Sequence, residues 1–299
     1  MYYKLNTRPF LHTIDNQRVT FENLKQVLNN HYDTAAFSIF PYLNEKKNSK
    51  KCIENNAGNC ISLSMRIQDI LKNKNKNKNK KPITSFLIPS TIPSTFNRDG
   101  YQPITHVALF VYVNSRYGYI IDPAFYFTEP IRVDLRTDAP GVACMRNIHT
   151  ESDDIVNYNT YQFPNRVDYS EYQRIPKDTL AVNCNFEKDT SDKWSYILRE
   201  ITNPDKAISS FYVNLNKMRP FIMSTKVTDE GLKQDCAIHK RKDNQVEIKQ
   251  DNTTLFYGDV DSIPPNLKTL IKEKLGKYFK DGVVKLEQDD DINEKHLTF

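Results

Sequence analysis

The stretch THVALFVYVNSRYGYIIDP, residues 105–123, decides the fold class of this 299-residue chain. Two runs of β-branched and aromatic residues flank the polar pair Asn114-Ser115, which predicts a β-hairpin. A titratable side chain marks each outer end, His106 before the first run and Asp122 after the second. Because the turn lies midway between them, we expect these two to be cross-strand neighbours, with the carboxylate holding the imidazole in one tautomer.

A cysteine in a helical context precedes this hairpin. Apolar residues recur at helical spacing from Asn59 to about Lys72, and Gly58 lets the chain turn into that segment. Cys60 therefore stands at a helix start, where free N–H groups favour a thiolate and stabilise an oxyanion. A cysteine, a base and a group that orients the base form the constellation of nucleophilic catalysis, so we predict Cys60, His106 and Asp122 as catalytic residues.

The rest of the chain predicts an α+β fold in three parts. The N-terminal part is helical, the central part is antiparallel, β-rich and barrel-like, and the C-terminal part is α/β. The predicted domains are 1–81, 82–190 and 191–299. The predicted helices outside the cysteine segment are 20–31 and 265–279. The further predicted strands are 85–88, 131–136, 142–148, 158–163, 179–187, 195–201, 209–215, 220–226, 245–250 and 253–257. We expect Trp194 and Tyr196 to be core residues of the C-terminal part.

Composition excludes several classes of protein. With 8 Gly and neither phosphate-loop motif, a nucleotide-loop enzyme is excluded. The six Lys between 72 and 81 account for more than the whole net charge of +5, so the rest of the chain is close to neutral in charge. We interpret 72–81 as a solvated Lys/Asn insertion and expect no nucleic-acid partner.

The cysteines and the apolar runs bear on environment. Five Cys without a C-x-x-C pair indicate a reducing compartment, not a disulfide framework. Cys236 and His239 lack two further ligands, so we predict no metal site. No signal peptide or apolar run of membrane-spanning length is visible, so we expect a cytoplasmic protein with no membrane partner.

Cys on a helix, followed by His and Asp on adjacent strands, resembles the transglutaminase-like cysteine fold, with its cysteine-proteinase-like core. The overall layout resembles the arylamine N-acetyltransferases. Four stretches carry this resemblance: TFENLKQVLNNHYDTAAFSIF (20–40), NAGNCISLSMRIQDIL (56–71), THVALFV with YIIDPAF, and SSFYVNLNKMRPFIMSTKV (209–227). Two family motifs differ here. Arg-Gly-Gly-x-Cys is Asn56-Ala57-Gly58-Asn59-Cys60, and Asp-Val-Gly-Phe-Gly is Asp122-Pro123-Ala124-Phe125-Tyr126.

The resemblance implies a thiol-dependent acyltransferase that passes an acyl group through a Cys60 thioester to an amine. It implies acetyl-CoA or another acyl-CoA as co-substrate. The residues it implies for substrate or acyl-donor binding are Gly58, Asn59, Thr105, Ala124 and Phe125. A peptidase, deamidase or amide hydrolase without a cofactor is the second hypothesis, favoured by Asp122-Pro123, and a non-catalytic binding module is the third. We expect a monomer that takes a small-molecule amine or a peptide.

Overall fold

The structure is a computed structural model that describes residues 19–43, 48–76, 83–97, 99–136, 138–169, 173–207, 221–241, 245–279 and 282. The predicted strand 209–215 lies outside these residues. The α-helices are α1 (Phe21–Thr34), α2 (Phe40–Leu43), α3 (Ser49–Cys52), α4 (Cys60–Lys76), α5 (Pro204–Ala207) and α6 (Pro265–Leu275). No helix among the described residues is long and apolar enough to cross a membrane.

Sixteen strands alternate with short turns in the same described residues. They are β1 (Ala36–Ser38), β2 (Ala57–Gly58), β3 (Ser85–Ser90), β4 (His106–Tyr112), β5 (Tyr117–Ile121), β6 (Ile131–Asp134), β7 (Pro140–Asn147), β8 (Ser152–Gln162), β9 (Val167–Asp168), β10 (Arg174–Ile175), β11 (Leu180–Phe186), β12 (Lys193–Ile197), β13 (Phe221–Thr228), β14 (Gly231–Lys240), β15 (Gln245–Gln250) and β16 (Thr253–Asp259). Together with the helices they confirm the predicted α+β class.

Eight strands form a nearly closed antiparallel barrel, in the order β6-β5-β4-β3-β12-β11-β8-β7. Its two edges meet through a bridge between Phe127 and Met145, and the Arg146 N–H donates to the Tyr126 carbonyl across the same seam at 2.9 Å. Every residue of β4 is buried, since this central strand has barrel core on one face and helix on the other. The barrel-like prediction is confirmed.

A second sheet of six strands, in the order β16-β15-β14-β13-β1-β2, joins the two ends of the chain. Two of its strands, β1 and β2, come from the N-terminal part and pair with each other in parallel. The C-terminal helix α6 packs on this sheet through Ile271 and Leu275. Because β2 ends two residues before Cys60, this sheet fixes where the cysteine helix begins.

The cysteine helix α4 lies directly against β4. Ile61, Ile67 and Leu71 form its buried face, as the helical spacing predicts. The Ser64 hydroxyl donates to the Val107 carbonyl at 3.3 Å, which ties the first turns of the helix to the start of β4. Packing therefore brings Cys60 to the end of the strand that carries His106.

Besides short elements such as β1, β2, β9 and β10, which were not predicted, three features differ from the sequence predictions. Helix α4 continues to Lys76, so the first Lys-Asn pairs of the predicted insertion are helical. Strand β14 was not predicted, because buried Gln234 interrupts an otherwise alternating apolar pattern. Trp194 and Tyr196 lie in the barrel core and not in the C-terminal part, since β12 pairs with β11 and β3. The domain boundaries at 81 and 190 stay predictions.

Candidate active site

His106 and Asp122 meet at one end of the β4–β5 hairpin. The register pairs Leu109 with Ile121, so the turn is centred one residue later than predicted, and Asp122 lies diagonal to His106. Residues two positions apart along a strand share a face, so the contact survives this shift. His106 Nε2 and Asp122 Oδ2 are 2.7 Å apart, and both side chains are buried.

Four hydrogen-bond partners surround the Asp122 carboxylate. Oδ2 faces His106 Nε2 and accepts from the Tyr196 hydroxyl at 2.7 Å. Oδ1 accepts from the backbone N–H groups of Ala124 and Phe125, each at 3.2 Å. A fully buried carboxylate needs such partners to offset the loss of water. Burial and the neighbouring Asp122 raise the pKa of Tyr196, so its hydroxyl stays protonated and acts as a donor.

The imidazole of His106 is fixed on two sides. The Phe125 ring lies parallel to it, with ring centroids 4.0 Å apart and planes inclined by 2°. Cys60 lines the same cavity as His106 and acts on the pKa of its imidazole; because Nε2 faces Asp122, Nδ1 is the ring nitrogen that remains for the sulfur. Burial lowers the pKa of His106, but the Asp122 carboxylate and Cys60 outweigh burial and raise it above its ordinary value. The imidazole is therefore a strong base toward the thiol.

Asn59 caps the helix that carries Cys60. Its Oδ1 accepts from the N–H groups of Ile61 and Ser62, at 3.1 and 3.2 Å, and from the Tyr42 hydroxyl at 2.7 Å. Two N–H groups of the first turn thus donate to Asn59 and are not free to stabilise an oxyanion, which limits the role predicted for this turn. The Cys60 N–H is the first-turn donor that Asn59 leaves available for an oxyanion.

Gly58 makes room for this helix start. A Cβ at position 58 would lie 2.5 Å from the Cβ of Ser62 and 3.2 Å from that of Cys52. The backbone thus passes where no larger residue fits without movement.

A cavity of about 1080 Å³ opens over this group of side chains. Cys60 and His106 line it, together with the predicted binding residues Thr105, Ala124 and Phe125. Gly58 and Asn59 are not among the lining residues, so both act on the helix start instead. The other walls combine aromatic and charged side chains, which include Phe37, Phe96, Phe221, Arg146, Lys188 and Asp192.

Two residues of this site escaped the sequence analysis. Tyr196 lies 74 positions from Asp122, and its alternation along β12 indicates burial but not its hydrogen-bond partner. Tyr126, which also lines the cavity, was noted only as a departure from a family motif. Among the described residues there is no group of three His, Cys, Asp or Glu side chains able to hold a metal ion.

A cysteine at a helix start, with His106 on β4 and Asp122 directly after β5, is the arrangement that the resemblance to the transglutaminase-like cysteine fold predicts. Solved structures agree with this assignment. An arylamine N-acetyltransferase from Bacillus cereus with a Cys-His-Glu catalytic triad has a TM-score of 0.52 at 15% identity, over 86% of this chain and 90% of that one. Arylamine N-acetyltransferase C from Bacillus anthracis has a TM-score of 0.51 at 14% sequence identity, over 87% of this chain and 92% of that one.

The arylamine N-acetyltransferase from Salmonella typhimurium has a TM-score of 0.50 at 14% identity, over 88% of this chain and 86% of that one. The chain therefore has the fold of the arylamine N-acetyltransferases, and the resemblance drawn from the sequence is confirmed for the fold. No family model matches the chain, and no curated protein is similar to it in sequence.

Proposed function

We propose that this protein is a thiol-dependent acyltransferase that passes an acyl group through a thioester on Cys60 to an amine. The observation that carries the proposal is the buried His106–Asp122 pair at 2.7 Å, which lies with Cys60 at the wall of one large cavity. Each member has the partner that its role requires: the thiol has a base, and the base has a buried carboxylate that fixes its tautomer.

In the first half of the reaction, the thiol proton has already passed to His106 Nδ1, and the Cys60 sulfur attacks the carbonyl carbon of an acyl thioester. The new S–C bond moves the carbonyl electron pair onto oxygen, where the Cys60 N–H stabilises it. The tetrahedral adduct then collapses, the bond to the donor sulfur breaks, and the imidazolium returns its proton to the departing thiolate. The products are the acylated Cys60 and a free thiol.

In the second half, an amine attacks the same carbonyl carbon. His106 takes the proton that the nitrogen loses, the S–C bond breaks, and the Cys60 sulfur leaves as the thiolate beside the protonated imidazole. Throughout both halves Asp122 holds the imidazole and stabilises its charged form, while Tyr196 and the backbone hold Asp122. Acetyl-CoA or another acyl-CoA is the proposed donor, and a small-molecule amine or a peptide is the proposed acceptor.

Acceptance of an acetyl group by Cys60 tests this proposal. The purified protein is incubated with acetyl-CoA without an acceptor, and the protein and its cysteine peptides are weighed by mass spectrometry. We expect one acetyl group on Cys60, its absence in Cys60→Ser, and its removal by 4-methylaniline with formation of the acetanilide. Cys144→Ser is the matched control, because this free and partly exposed cysteine lies outside the cavity lining.

Two other results decide against the transferase. An unmodified Cys60 that nevertheless reacts rapidly with iodoacetamide would favour the amide hydrolase, in which water replaces the amine. If Cys60 reacts no faster than Cys144, and His106→Ala changes nothing, the site is not a catalytic thiol. That outcome would leave a binding module on this fold.

A further inference from the structure

Phe125 contacts both members of the His106–Asp122 pair. Its backbone N–H donates to Asp122 Oδ1 at 3.2 Å. Its ring lies parallel to the His106 imidazole, with the two ring centroids 4.0 Å apart and the planes inclined by 2°. The residue is thus fixed by its backbone to the carboxylate and by its ring to the imidazole that the carboxylate holds.

Neighbouring side chains keep the Phe125 ring in this place. The buried Trp194 ring meets it edge-on, with centroids 6.3 Å apart and planes inclined by 86°, and the Phe96 ring lies 5.4 Å away. The turn that carries Phe96 is anchored by Asp192, a buried carboxylate that accepts from the Ser94 N–H at 2.6 Å. The ring face that His106 meets is therefore held by a packed group of residues.

The stack at His106 is closer than the other stack between a histidine and a phenylalanine in the described residues. The rings of His239 and Phe221 have centroids 5.6 Å apart and planes inclined by 14°. Burial and the nearby Arg241 lower the pKa of His239 to about 4, so that imidazole is neutral near pH 7. Neutral aromatic pairs prefer centroid distances of about 4.5–7 Å. The 4.0 Å contact at His106 is shorter than this range.

A short contact with a ring face suits a protonated imidazole. A cation is attracted by the negative face of an aromatic ring, and the attraction is stronger where water is excluded. Both His106 and its partner Asp122 are buried, and the carboxylate lies 2.7 Å from Nε2. The imidazolium therefore has a carboxylate at its edge and an aromatic face against its plane.

The charged groups around His106 are arranged so that these two contacts dominate. Burial lowers the pKa of His106, whereas Asp122 after β5 and Cys60 on α4 raise it. Tyr196 on β12 reaches the imidazole through Asp122. Three basic side chains of the cavity wall have acidic partners of their own, in the ion pairs Arg146–Asp153, Lys188–Asp154 and Arg241–Glu247. The other titratable groups of the wall are Asp99, Tyr101, Tyr126, His149, Asp189 and Asp192.

We propose that Phe125 is a positioning residue whose ring face stabilises the protonated form of His106, and with it the thiolate form of Cys60. The imidazolium then persists to a higher pH than it would beside Asp122 alone. The inference deepens the proposed function and rests on it in one respect, because the pair of thiolate and imidazolium is the state that attacks the acyl donor.

The protonation of His106 is measured directly by NMR. The protein is labelled with ¹³C at the Cε1 atoms of its six histidines, and the His106 signal, identified by its loss in His106→Gln, is followed against pH. Cys60→Ser serves as the background, so that no thiolate contributes. We expect Phe125→Leu to lower the midpoint of the His106 titration by about one pH unit, the size of one buried contact between a cation and a ring.

A fluorinated ring separates charge from shape. Pentafluorophenylalanine at position 125 keeps the outline of the ring and reverses the charge of its face, so it should lower the midpoint at least as far as leucine does. Phe125→Tyr keeps a negative ring face and should retain the midpoint. Phe221→Leu is the matched control, because Phe221 also lines the cavity but stacks on His239, and it should leave the His106 midpoint unchanged.

An unchanged midpoint in the fluorinated protein would overturn the proposal, whatever the leucine variant does, because packing alone would then explain the stack. An unchanged midpoint in a folded Phe125→Leu would overturn it as well. If the leucine variant does not fold, the fluorinated protein decides. None of these titrations uses an acyl donor. Midpoints that fall as expected, in a protein whose Cys60 accepts no acetyl group from acetyl-CoA, would therefore support the role of Phe125 and overturn the proposed acyl transfer.

Discussion

Replacing Asp122 by Asn removes the negative charge from the site and changes little in shape. Asn keeps one oxygen for the backbone N–H groups of Ala124 and Phe125, but its amide nitrogen takes the place of Oδ2. That nitrogen donates, so His106 must turn its Nε2 lone pair toward it and carry its proton on Nδ1. An Nδ1–H cannot accept the proton of the Cys60 thiol.

The structure sets the size of the expected effect. Oδ2 makes two of the four hydrogen bonds of the carboxylate, those with His106 and Tyr196, both at 2.7 Å. Each charge-assisted bond contributes about 1.5–3 kcal/mol. Loss of both corresponds to about 3–6 kcal/mol, which slows the reaction of Cys60 by about 10² to 10⁴. Tyr196→Phe removes one such bond and leaves the tautomer intact, so we expect it to slow the reaction about tenfold to hundredfold.

The assay is alkylation by iodoacetamide, followed at Cys60 by peptide mass spectrometry from acid to alkaline pH. Cys144 in the same sample is the internal reference. Because the pKa of His106 is raised, the unmodified protein keeps an imidazolium beside the sulfur through neutral pH. The imidazolium stabilises the Cys60 thiolate, and this stabilisation is lost only as the pH rises through the raised pKa of His106. Asp122→Asn should therefore confine fast labelling to alkaline pH. Labelling within threefold of the unmodified rate at pH 7, in a variant that melts normally, would refute the reasoning.

Two predictions concern the start of the cysteine helix. Gly58→Ala places a Cβ 2.5 Å from Ser62, so we expect a loss of about 1–3 kcal/mol in urea unfolding and slower labelling of Cys60. In Gly258→Ala the nearest atom to the new Cβ belongs to the edge of the Phe256 ring, at 3.1 Å, so this variant should lose less free energy of unfolding. Equal losses in the two variants would contradict the close contact with Ser62. Asn59→Ala removes the helix cap and should lower the free energy of unfolding by about 1–2 kcal/mol. Asn59→Asp should keep most of the free energy of unfolding that Asn59→Ala loses. If Asn59→Ala unfolds like the unmodified protein, the cap does not contribute to stability.

The sequence predicts the candidate catalytic residues better than their surroundings. His106 and Asp122 are recognisable because each ends a strongly apolar strand, and an error of one residue in the turn centre does not change which face they share. Tyr196 is not recognisable as their partner, because its contact depends on how β12, 74 residues later in the chain, pairs with β3 and β11. Strands β1 and β2 have two or three residues each and therefore carry no periodicity. The sequence does not separate a helix cap at Asn59 from a binding residue, because the two look alike next to a nucleophile.

The segment 123–127 takes part in two structures at once. Its N–H groups bind the Asp122 carboxylate, and the bridge at Phe127 closes the barrel against β7. The carboxylate thus cannot lose its backbone donors through fraying of a loop, because that loop is also the joint that keeps the barrel edges together. Opening the joint would expose the barrel interior to water. We therefore expect loss of the hydrogen bonds of Asp122 and unfolding of the barrel to be coupled, so that substitutions along this joint alter the reactivity of Cys60 and the stability of the protein together.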